Sequence, residues 1–343
     1  MALLFADGFE HYGTGSTGRT NMLAGPYLEL ASTGQPSNAQ ARTGSLSLKG
    51  NTNNSWCFRR STGVAKNELG VAVGVYYESL SGVRKVIDFQ ANTTAVCSIT
   101  VSAAGAIQAR VGGFNAAATI IGETDAGLIT ASAWHHIETR ILVDDVVGEV
   151  EIRVNGSTEL FLTNVNLGAN LVNVVGHYMI TTSPYIDDLI VWDTTGDVNN
   201  TFFGPARVNT VFMSADTDVD DWSVTGAATG AEAIDETTPD GDTTYVSAAM
   251  VGQRSEFVPG ELPPETEVIG GVYIPAMAKL ASAGLGNFQL SIVSNGEVAT
   301  GPDYPLTTAY TYWPSIFEKD PDGNKVWSKA AFEAARIRIE KTA

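Results

Sequence analysis

Histidines and carboxylates are the first side chains in this sequence to test for chemistry. His135 and His136 are adjacent in an alternating segment, so they point to opposite faces of a strand and cannot hold one metal ion together. A glycosidase needs two carboxylates that flank a sugar, and the closest pair, Glu149 and Glu151, fits a solvated strand edge. The chain contains no HExxH, GxSxG or GxxxxGK[ST] motif, so no catalytic residue is predicted.

Regularly spaced aspartates suggest calcium as a second kind of chemistry. Asp216-x-Asp218-x-Asp220 begins like an EF-hand loop, but Asp221 replaces the glycine at position six and Ala227 the final glutamate. The run is therefore not an EF-hand. A structural calcium stays a hypothesis, and no other cofactor is predicted. Its alternative is that these acids lie in solvated turns, with one aspartate of the 187–188 pair bonding loop amides. The candidate metal ligands are Asp187, Asp188, Asp216, Asp218 and Asp220.

Aromatic residues offer a third kind of site, since their rings can stack on sugars. Tyr310 and Tyr312 share one face of a predicted strand and Trp313 takes the other, which makes these three the candidate carbohydrate-binding residues. Filling of the core or of an interface is the alternative for all the aromatic candidates. The others are Trp56, Tyr76, Tyr77 and Trp192.

Composition limits the class of partner. The 343 residues carry 20 basic against 38 acidic side chains, a net charge of −18, which disfavours nucleic acid and anionic membrane surfaces. No apolar stretch approaches the roughly 20 residues that span a bilayer, and the start does not read as a signal peptide. Synthesis in the cytosol is expected. Under those conditions Cys57 and Cys97 are expected to be free and buried, with a disulfide as the alternative.

Alternating segments predict the elements that would position these residues. From Trp134 to Asn164 three strands follow one another, joined by polar turns that include Asn155-Gly156. Such a meander has one apolar face, which a second sheet must cover. Leu69 to Tyr77 is nearly continuous apolar sequence and predicts a strand buried on both sides, with Gly70 and Gly74 allowing close packing.

The chain as a whole is predicted to be all-β, with two domains. Residues 1–200 form an antiparallel β-sandwich (jelly roll) without a convincing helix, and the run Gly13 to Arg19 is predicted as a flexible loop. A break rich in Gly, Asn and Pro at 194–207 marks a boundary. Residues 207–343 form a second, smaller β-sandwich-like domain. It contains one short helix, Ser328 to Ala335, capped by Ser328, and a closing strand.

These motifs carry a resemblance. The Trp134-His135-His136 opening and the Asn155-Gly156 turn resemble a hallmark of concanavalin-A-like jelly rolls of the laminin-G and lectin kind, over roughly residues 1–200. The resemblance implies that the last strand, Tyr185 to Asp193, lies beside the strand around Phe5. Laminin-G-like relatives often bind calcium at a rim. The DGFEHY opening, the two β domains and the Phe317 to Gly323 ending also resemble tailed-bacteriophage virion proteins.

The resemblance to virion proteins implies the leading functional hypothesis. It is a non-enzymatic virion structural protein that decorates capsid or tail by protein–protein contacts with other virion proteins, as a homo-oligomer. Such a protein would be made in the bacterial host cytoplasm and located in the virion. One alternative is a carbohydrate-binding receptor-recognition adhesin that binds a host surface glycan. It predicts an exposed aromatic residue beside acidic and amide side chains on a concave sheet or rim. A further alternative is a glycoside hydrolase acting on host surface polysaccharide.

Overall fold

The structure is a computed structural model that describes residues 2–25, 27–30, 34–50, 55–113, 118–179 and 184–343. It divides into two compact units, Met1–Val208 and Asn209–Ala343. The predicted boundary segment 194–207 thus belongs to the first unit. Among the described residues, no helix has the length and apolar character needed to cross a membrane.

The first unit contains fifteen described strands and one helix. Its elements are β1 (Leu3–Asp7), α1 (Gly15–Leu23), β2 (Tyr27–Glu29), β3 (Gln35–Ser37), β4 (Ser47–Lys49), β5 (Ser55–Lys66), β6 (Glu68–Tyr77), β7 (Arg84–Ala91), β8 (Thr94–Val101), β9 (Ile107–Val111), β10 (Thr119–Glu123), β11 (Trp134–Leu142), β12 (Gly148–Val154), β13 (Ser157–Val165), β14 (Val172–Met179) and β15 (Pro184–Trp192).

These strands form two antiparallel sheets. The first has the order β13-β12-β11-β6-β15-β4-β3, with β1 also paired to β15. The second has the order β10-β9-β8-β7-β14-β5-β2. The inward faces carry the apolar side chains, such as Val73 and Ile137 from the first sheet and Phe89 and Ile99 from the second, each 0–1% exposed. The predicted all-β sandwich is confirmed.

The predicted meander forms in the expected register. In the β11–β12 pair, Ile137 faces Val154 and Ile141 faces Val150, so the alternating apolar residues share one face. Asn155 and Gly156 adopt positive φ angles of 49° and 93°, as a two-residue hairpin turn requires. The implied pairing of the last strand with the first is also present, with Phe5 opposite Val191.

Helix α1 contradicts the predicted loop at 13–19. Its sequence, GSTGRTNML, has low helix propensity, and the side chain of Thr14 makes no capping hydrogen bond. Tertiary contacts hold it instead. Asn21 Nδ2 donates to Tyr12 O at 2.8 Å and Arg19 Nη2 donates to Leu30 O at 3.1 Å. A Cβ on Gly18 would lie 2.3 Å from Gly13 O, so the glycine permits this close approach. Such contacts join residues that are distant in sequence, so the local composition of residues 13–19 does not predict the helix.

The second unit consists of nine described strands, a short 3₁₀ helix at Ala231–Ala233 and one α-helix. Its elements are β16 (Met213–Asp220), β17 (Ser223–Thr225), β18 (Tyr245–Ser247), β19 (Arg254–Pro259), β20 (Val272–Ala278), β21 (Asn287–Ser294), β22 (Glu297–Pro305), β23 (Thr311–Phe317), α2 (Lys329–Ala334) and β24 (Arg336–Lys341). These strands form a five-stranded sheet, β16-β19-β24-β21-β22, and two separate two-stranded sheets, β17-β18 and β20-β23.

The chain end of the second unit follows its prediction. The Ser328 hydroxyl accepts a hydrogen bond from Ala331 N at 3.2 Å, which satisfies one free amide of the first helical turn. Helix α2 then buries Phe332 against Trp327, whose Nε1 donates to Phe317 O at 3.0 Å. The first strand of this unit begins at Met213 and runs through the aspartate-rich segment.

Candidate functional site

The three aromatic residues predicted to bind carbohydrate do not form one exposed platform. Tyr312 is buried at 6% exposure, and Trp313 packs on Tyr304 with ring centroids 5.1 Å apart. The Tyr310 hydroxyl lies 2.9 Å from Asp242 Oδ1, and Lys279 Nζ lies 4.4 Å from the centre of its ring. Tyr310 and Trp313 are partly exposed, so each ring can still contact a ligand, and mutation of each residue tests this.

The aspartates at 216, 218 and 220 lie on strand β16 rather than in a loop. Both carboxylate oxygens of Asp216 accept amide hydrogen bonds, from Gly230 N at 2.8 Å and Ala231 N at 2.6 Å. Asp220 accepts from Ser255 Oγ at 3.2 Å, and Asp218 points to solvent. The structure therefore uses two of these acids to fix neighbouring segments.

Asp187 and Asp188 are buried inside the first unit, and both bond loop amides. Asp187 accepts from Arg42 N at 2.7 Å and Thr43 N at 3.0 Å. Asp188 accepts from Val208 N at 2.7 Å and forms an ion pair with the Arg42 guanidinium. Burial, together with the nearby Asp188 charge, raises the pKa of Asp187 to about 8. In the part of the chain that the structure describes, no group of three or more His, Cys, Asp or Glu could hold a metal ion.

The outer face of the first sheet is here called the covered face, because the chain's own segment 194–208 lies on it. It is formed by Gly70, Gly74, His136, Glu138 and Trp192. Trp192 is fully buried, in edge-to-face contact with Phe202 and Phe203 at 5.9 and 5.4 Å. A Cβ on Gly70 would lie 2.1 Å from the Trp192 ring, so only glycine leaves room for the indole.

Glu138 fastens segment 194–208 to the covered face. Its Oε1 accepts from Phe203 N at 2.8 Å and Gly204 N at 3.1 Å, while the buried Oε2 has no hydrogen-bond partner among the described residues. Burial raises the pKa of Glu138 to about 7. Burial and the charge of Arg42 lower the pKa of the neighbouring His136 to about 3. These titratable groups are thus part of the structure of this face.

The outer face of the second sheet is different, and is here called the polar face. Cross-strand register places Asp88 opposite Ser98 on one side and Gly176 on the other, while their inward neighbours are apolar. Because side chains alternate along strands, the polar residues of β7, β8 and β9 all point outward together. The face is formed by Trp56, Arg59, Lys85, Asp88, Gln90, Ser98, Thr100, Gln108, Arg110, Gly176 and Tyr178.

A buried ion pair lies at the centre of the polar face. Lys85 Nζ bonds the Asp88 carboxylate, and Ser98 Oγ donates to Asp88 Oδ1 at 2.5 Å. Burial lowers the pKa of Lys85 and raises the pKa of Asp88, and each charge partly offsets the effect on the other. The pair places a cation and a carboxylate side by side on the outer face of the sheet, with 2% and 0% of the two side chains exposed.

The side of the polar face on β8 and β9 is a hydrogen-bonded floor. Arg110 donates through Nε to Thr100 Oγ1 at 3.1 Å and through Nη2 to Gln108 Oε1 at 2.6 Å. Gln108 Nε2 in turn donates to the exposed Glu123 at 2.9 Å. Gln108 and Arg110 are only 7% and 9% exposed, so their orientation is set by these bonds. The floor thus offers guanidinium and amide groups in fixed positions.

The other side of the polar face is aromatic. Trp56 and Tyr178 meet edge to face at 5.0 Å, and both keep partial exposure. A Cβ on Gly176 would lie 3.0 Å from Trp56 Cζ3, so the glycine lets the indole lie close over the strand. Lys85 Nζ lies 5.5 Å and 5.4 Å from the two ring centres, and the Arg59 guanidinium 5.4 Å from Trp56. Cation–π contacts therefore hold the two rings against the charged groups.

The polar face combines the elements of a ligand site. Partly exposed rings provide apolar contact area, and hydroxyl, amide and guanidinium groups provide directed hydrogen bonds. Sequence reasoning named Trp56 only as one aromatic residue among seven and did not identify the others. The signal was present, because polar residues two apart recur at Ser98 and Thr100 on one predicted strand and at Gln108 and Arg110 on the next.

No family model matches this chain, and no curated protein matches it. Solved structures do resemble it. The alginate lyase Aly36B has a TM-score of 0.41 and 15% identity, over 55% of this chain and 96% of that chain. The carbohydrate-binding module CBM66 from Bacillus subtilis has a TM-score of 0.34 and 10% identity, over 47% and 92%. The Caenorhabditis elegans galectin LEC-6 has a TM-score of 0.29 and 10% identity, over 42% and 94%.

These similarities concern the fold alone, and the similar structures are β-sandwich jelly rolls of carbohydrate-binding and lectin-like proteins. By the same comparison, the prediction of a non-enzymatic virion structural protein is wrong, since the similar structures are carbohydrate-binding modules and glycan-active enzymes. The predicted phage origin, virion partners and homo-oligomer gain no support from it either. The carbohydrate-binding alternative agrees with it better.

Proposed function

We propose that this protein is a carbohydrate-binding module whose polar face binds a saccharide chain. The observation that carries the proposal is the partly exposed pair Trp56 and Tyr178 beside Asp88, Gln90 and fixed hydrogen-bond donors. A pyranose ring has an apolar face that stacks on an aromatic ring and hydroxyl groups at its edge that need hydrogen-bond partners. The polar face offers both kinds of contact on one surface.

The proposal is binding without turnover. A hydrolase would need a free pair of carboxylates. On the polar face Asp88 is tied to Lys85 and Ser98, and Glu123 at its edge accepts a hydrogen bond from Gln108. Because both carboxylates already accept hydrogen bonds from the protein, they are suited to orienting a bound saccharide rather than to transferring a proton to it. Incubation of each bound glycan with the protein, followed by analysis of chain length, tests this part of the proposal, and any shortening of the glycan would contradict it.

A glycan array probed with the full chain tests the binding, followed by calorimetry on each glycan that binds. Trp56→Ala should weaken binding about tenfold or more, because it removes the stacking surface. Phe161→Ala is the matched control, since Phe161 is also an aromatic residue on the first unit, 53% exposed, but lies on edge strand β13 of the other sheet. It should leave the affinity unchanged.

The residues predicted from sequence provide the decisive alternative. If Trp56→Ala keeps full affinity while Tyr310→Ala or Trp313→Ala abolishes it, the binding site lies in the second unit and the proposal for the polar face is wrong. An array on which no glycan binds would also contradict it.

A further inference from the structure

The polar face holds an arginine without an acidic partner. Arg110 is 9% exposed, and the described residues to which it donates are the neutral groups Thr100 Oγ1 and Gln108 Oε1. Among the described residues no carboxylate forms an ion pair with it. These bonds use two of the five N–H groups of a guanidinium. Burying a charge without a counter-charge is costly, so an anion that completes the site would be bound favourably.

A second arginine lies at the opposite edge of the same surface. Arg59 donates through Nε to Gln90 Oε1 at 3.2 Å and through Nη2 to Asn92 O at 2.6 Å. Its only ion pair among the described residues is with the exposed Glu29, at 3.3 Å. An exposed pair of this kind contributes little, so Glu29 can give way to a ligand carboxylate at small cost.

Sheet register relates the two arginines. Arg110 lies opposite Ser98, Ser98 opposite Asp88, Asp88 opposite Gly176, and Gly176 opposite Arg59. These five residues, here called the arginine row, cross the sheet at right angles to its strands. Four steps of ~4.8 Å separate the ends by about 19 Å. That span exceeds one pyranose ring, so a ligand that reaches both ends is an oligosaccharide.

We propose that the ligand of the polar face is an acidic oligosaccharide, whose carboxylates pair with Arg110 and Arg59 at the two ends of the arginine row. The inference rests on the proposed function and adds the class of ligand. Between the ends, the ring of Trp56 lies over Gly176 and offers a stacking surface, while the Lys85 ammonium group, beside Asp88, carries three N–H donors. The guanidinium fork matches the two oxygens of a carboxylate.

The polar face carries cations within an acidic protein. With 20 basic against 38 acidic side chains, the protein repels anions at long range. Arg59 and Lys85 are matched locally by Glu29 and Asp88. Arg110 has no carboxylate partner among the described residues, and a ligand carboxylate would supply one.

Calorimetry on the full chain tests the inference with matched ligands. The probes are oligomannuronate, oligoguluronate and oligogalacturonate of equal length, each as the free acid and as its neutral methyl ester, and a sulfated oligosaccharide. At least one free acid should bind about tenfold or more tightly than its ester, because charge-assisted hydrogen bonds are stronger than neutral ones. Its affinity should fall as salt is added, and it should rise with oligomer length.

Variants separate the arginines from the rest of the face. Arg110→Gln should reduce affinity for the acid about tenfold and affinity for the ester by a clearly smaller factor, since the ester loses a neutral hydrogen bond and the acid loses a charge-assisted one. The affinity of Arg110→Lys for the acid should lie between those of the natural chain and Arg110→Gln, since lysine keeps the charge but lacks the two parallel N–H donors of a guanidinium. If Arg110→Gln does not fold, the partly exposed Arg59→Gln provides the same comparison. The matched control is Arg254→Gln, an exposed arginine of the second unit, which should have no effect.

The outcomes distinguish the two proposals. If acid and ester bind equally and Trp56→Ala weakens both, the polar face binds saccharides but the acidic ligand is wrong. If the sulfated probe binds more tightly than every uronate, the assignment of a carboxylate is overturned. If no probe binds, both the inference and the proposed function fail.

Discussion

The covered face and the polar face are the two outer surfaces of one sandwich, and both carry buried polar side chains. They differ in what those side chains bond. On the covered face, Glu138 accepts hydrogen bonds from the main-chain amides of Phe203 and Gly204. On the polar face, Asp88 bonds Lys85 and Ser98, and Arg110 bonds Thr100 and Gln108, side chain to side chain. Buried polar side chains therefore hold a chain segment in place on the covered face and form a side-chain network on the polar face.

This difference indicates which face can receive a ligand. A carboxylate bound by amides of its own chain is fixed for as long as that segment stays folded, and aromatic rings exclude water from it. A network of side chains can exchange one partner for a ligand atom without unfolding anything. Each face also has a tryptophan packed over a glycine, Trp192 over Gly70 and Trp56 over Gly176, and of these two Trp56 is the one that keeps exposure.

The two tryptophans give the largest expected difference. Trp192→Ala should lower the free energy of unfolding by about 3–5 kcal/mol, because it leaves a cavity under Phe202 and Phe203. Trp56→Ala should cost much less stability, since its ring is partly exposed, but should reduce saccharide affinity. Denaturant unfolding of both variants, with calorimetry on those that fold, measures both effects. Equal losses of stability would mean that the polar face is also a structural surface.

Glu138 gives the next effect, which depends on pH. Burial raises its pKa from 4.5 to about 7, so the folded state keeps a proton that the unfolded state releases. Stability from this group is complete below pH 4.5 and is lost as pH rises to about 7. One pKa unit corresponds to ~1.4 kcal/mol, and solvent screening of a group that is not fully desolvated reduces the contribution, so we expect a loss of about 1–2 kcal/mol.

Glu138→Gln isolates this contribution. The amide oxygen still accepts from Phe203 N and Gly204 N, but the side chain no longer titrates. The difference in unfolding free energy between the natural chain and the variant should fall between pH 4.5 and about 7 and then stay level. Asp187 titrates in both proteins and cancels. A difference that does not change with pH would show that Glu138 is ionised in the folded state.

Much of the fold was predictable, because it depends on local alternation. The β11–β12 hairpin, its Asn155-Gly156 turn and the Ser328 cap each follow from a few neighbouring residues. Helix α1 was not predictable in this way, since packing of Gly18 and side-chain bonds to distant carbonyls hold it. Segment 194–207 was predicted as a boundary because its Gly, Asn and Pro residues break the strand pattern, whereas the structure packs it against the first sheet. Its contact with Glu138 joins residues 65 positions apart.

The candidate site was only partly predictable. Outward polar residues on β7, β8 and β9 could be found from alternation, because those strands are consecutive and neighbours in the sheet. The aromatic side, Trp56 and Tyr178, could not be found in this way. Their strands, β5 and β14, are far apart in sequence and become neighbours only in the folded sheet. Tyr310, Tyr312 and Trp313 were preferred because Tyr310 and Tyr312 share one face of a predicted strand, yet the structure buries Tyr312.

The smallest expected effect tests the link between glycine and stacking surface on the polar face. In Gly176→Ala, the new Cβ would lie 3.0 Å from both Trp56 Cζ3 and the backbone oxygen of Phe58. The backbone oxygen is fixed by the sheet, so the indole must shift by a few tenths of an ångström. Saccharide affinity should fall roughly threefold, which is under about 1 kcal/mol. Gly284→Ala is the matched control, since a Cβ there meets nothing within 4 Å. Unchanged affinity in Gly176→Ala would mean that the ligand does not use the Trp56 ring in its present position, and the contrast between the two tryptophans would then rest on burial alone.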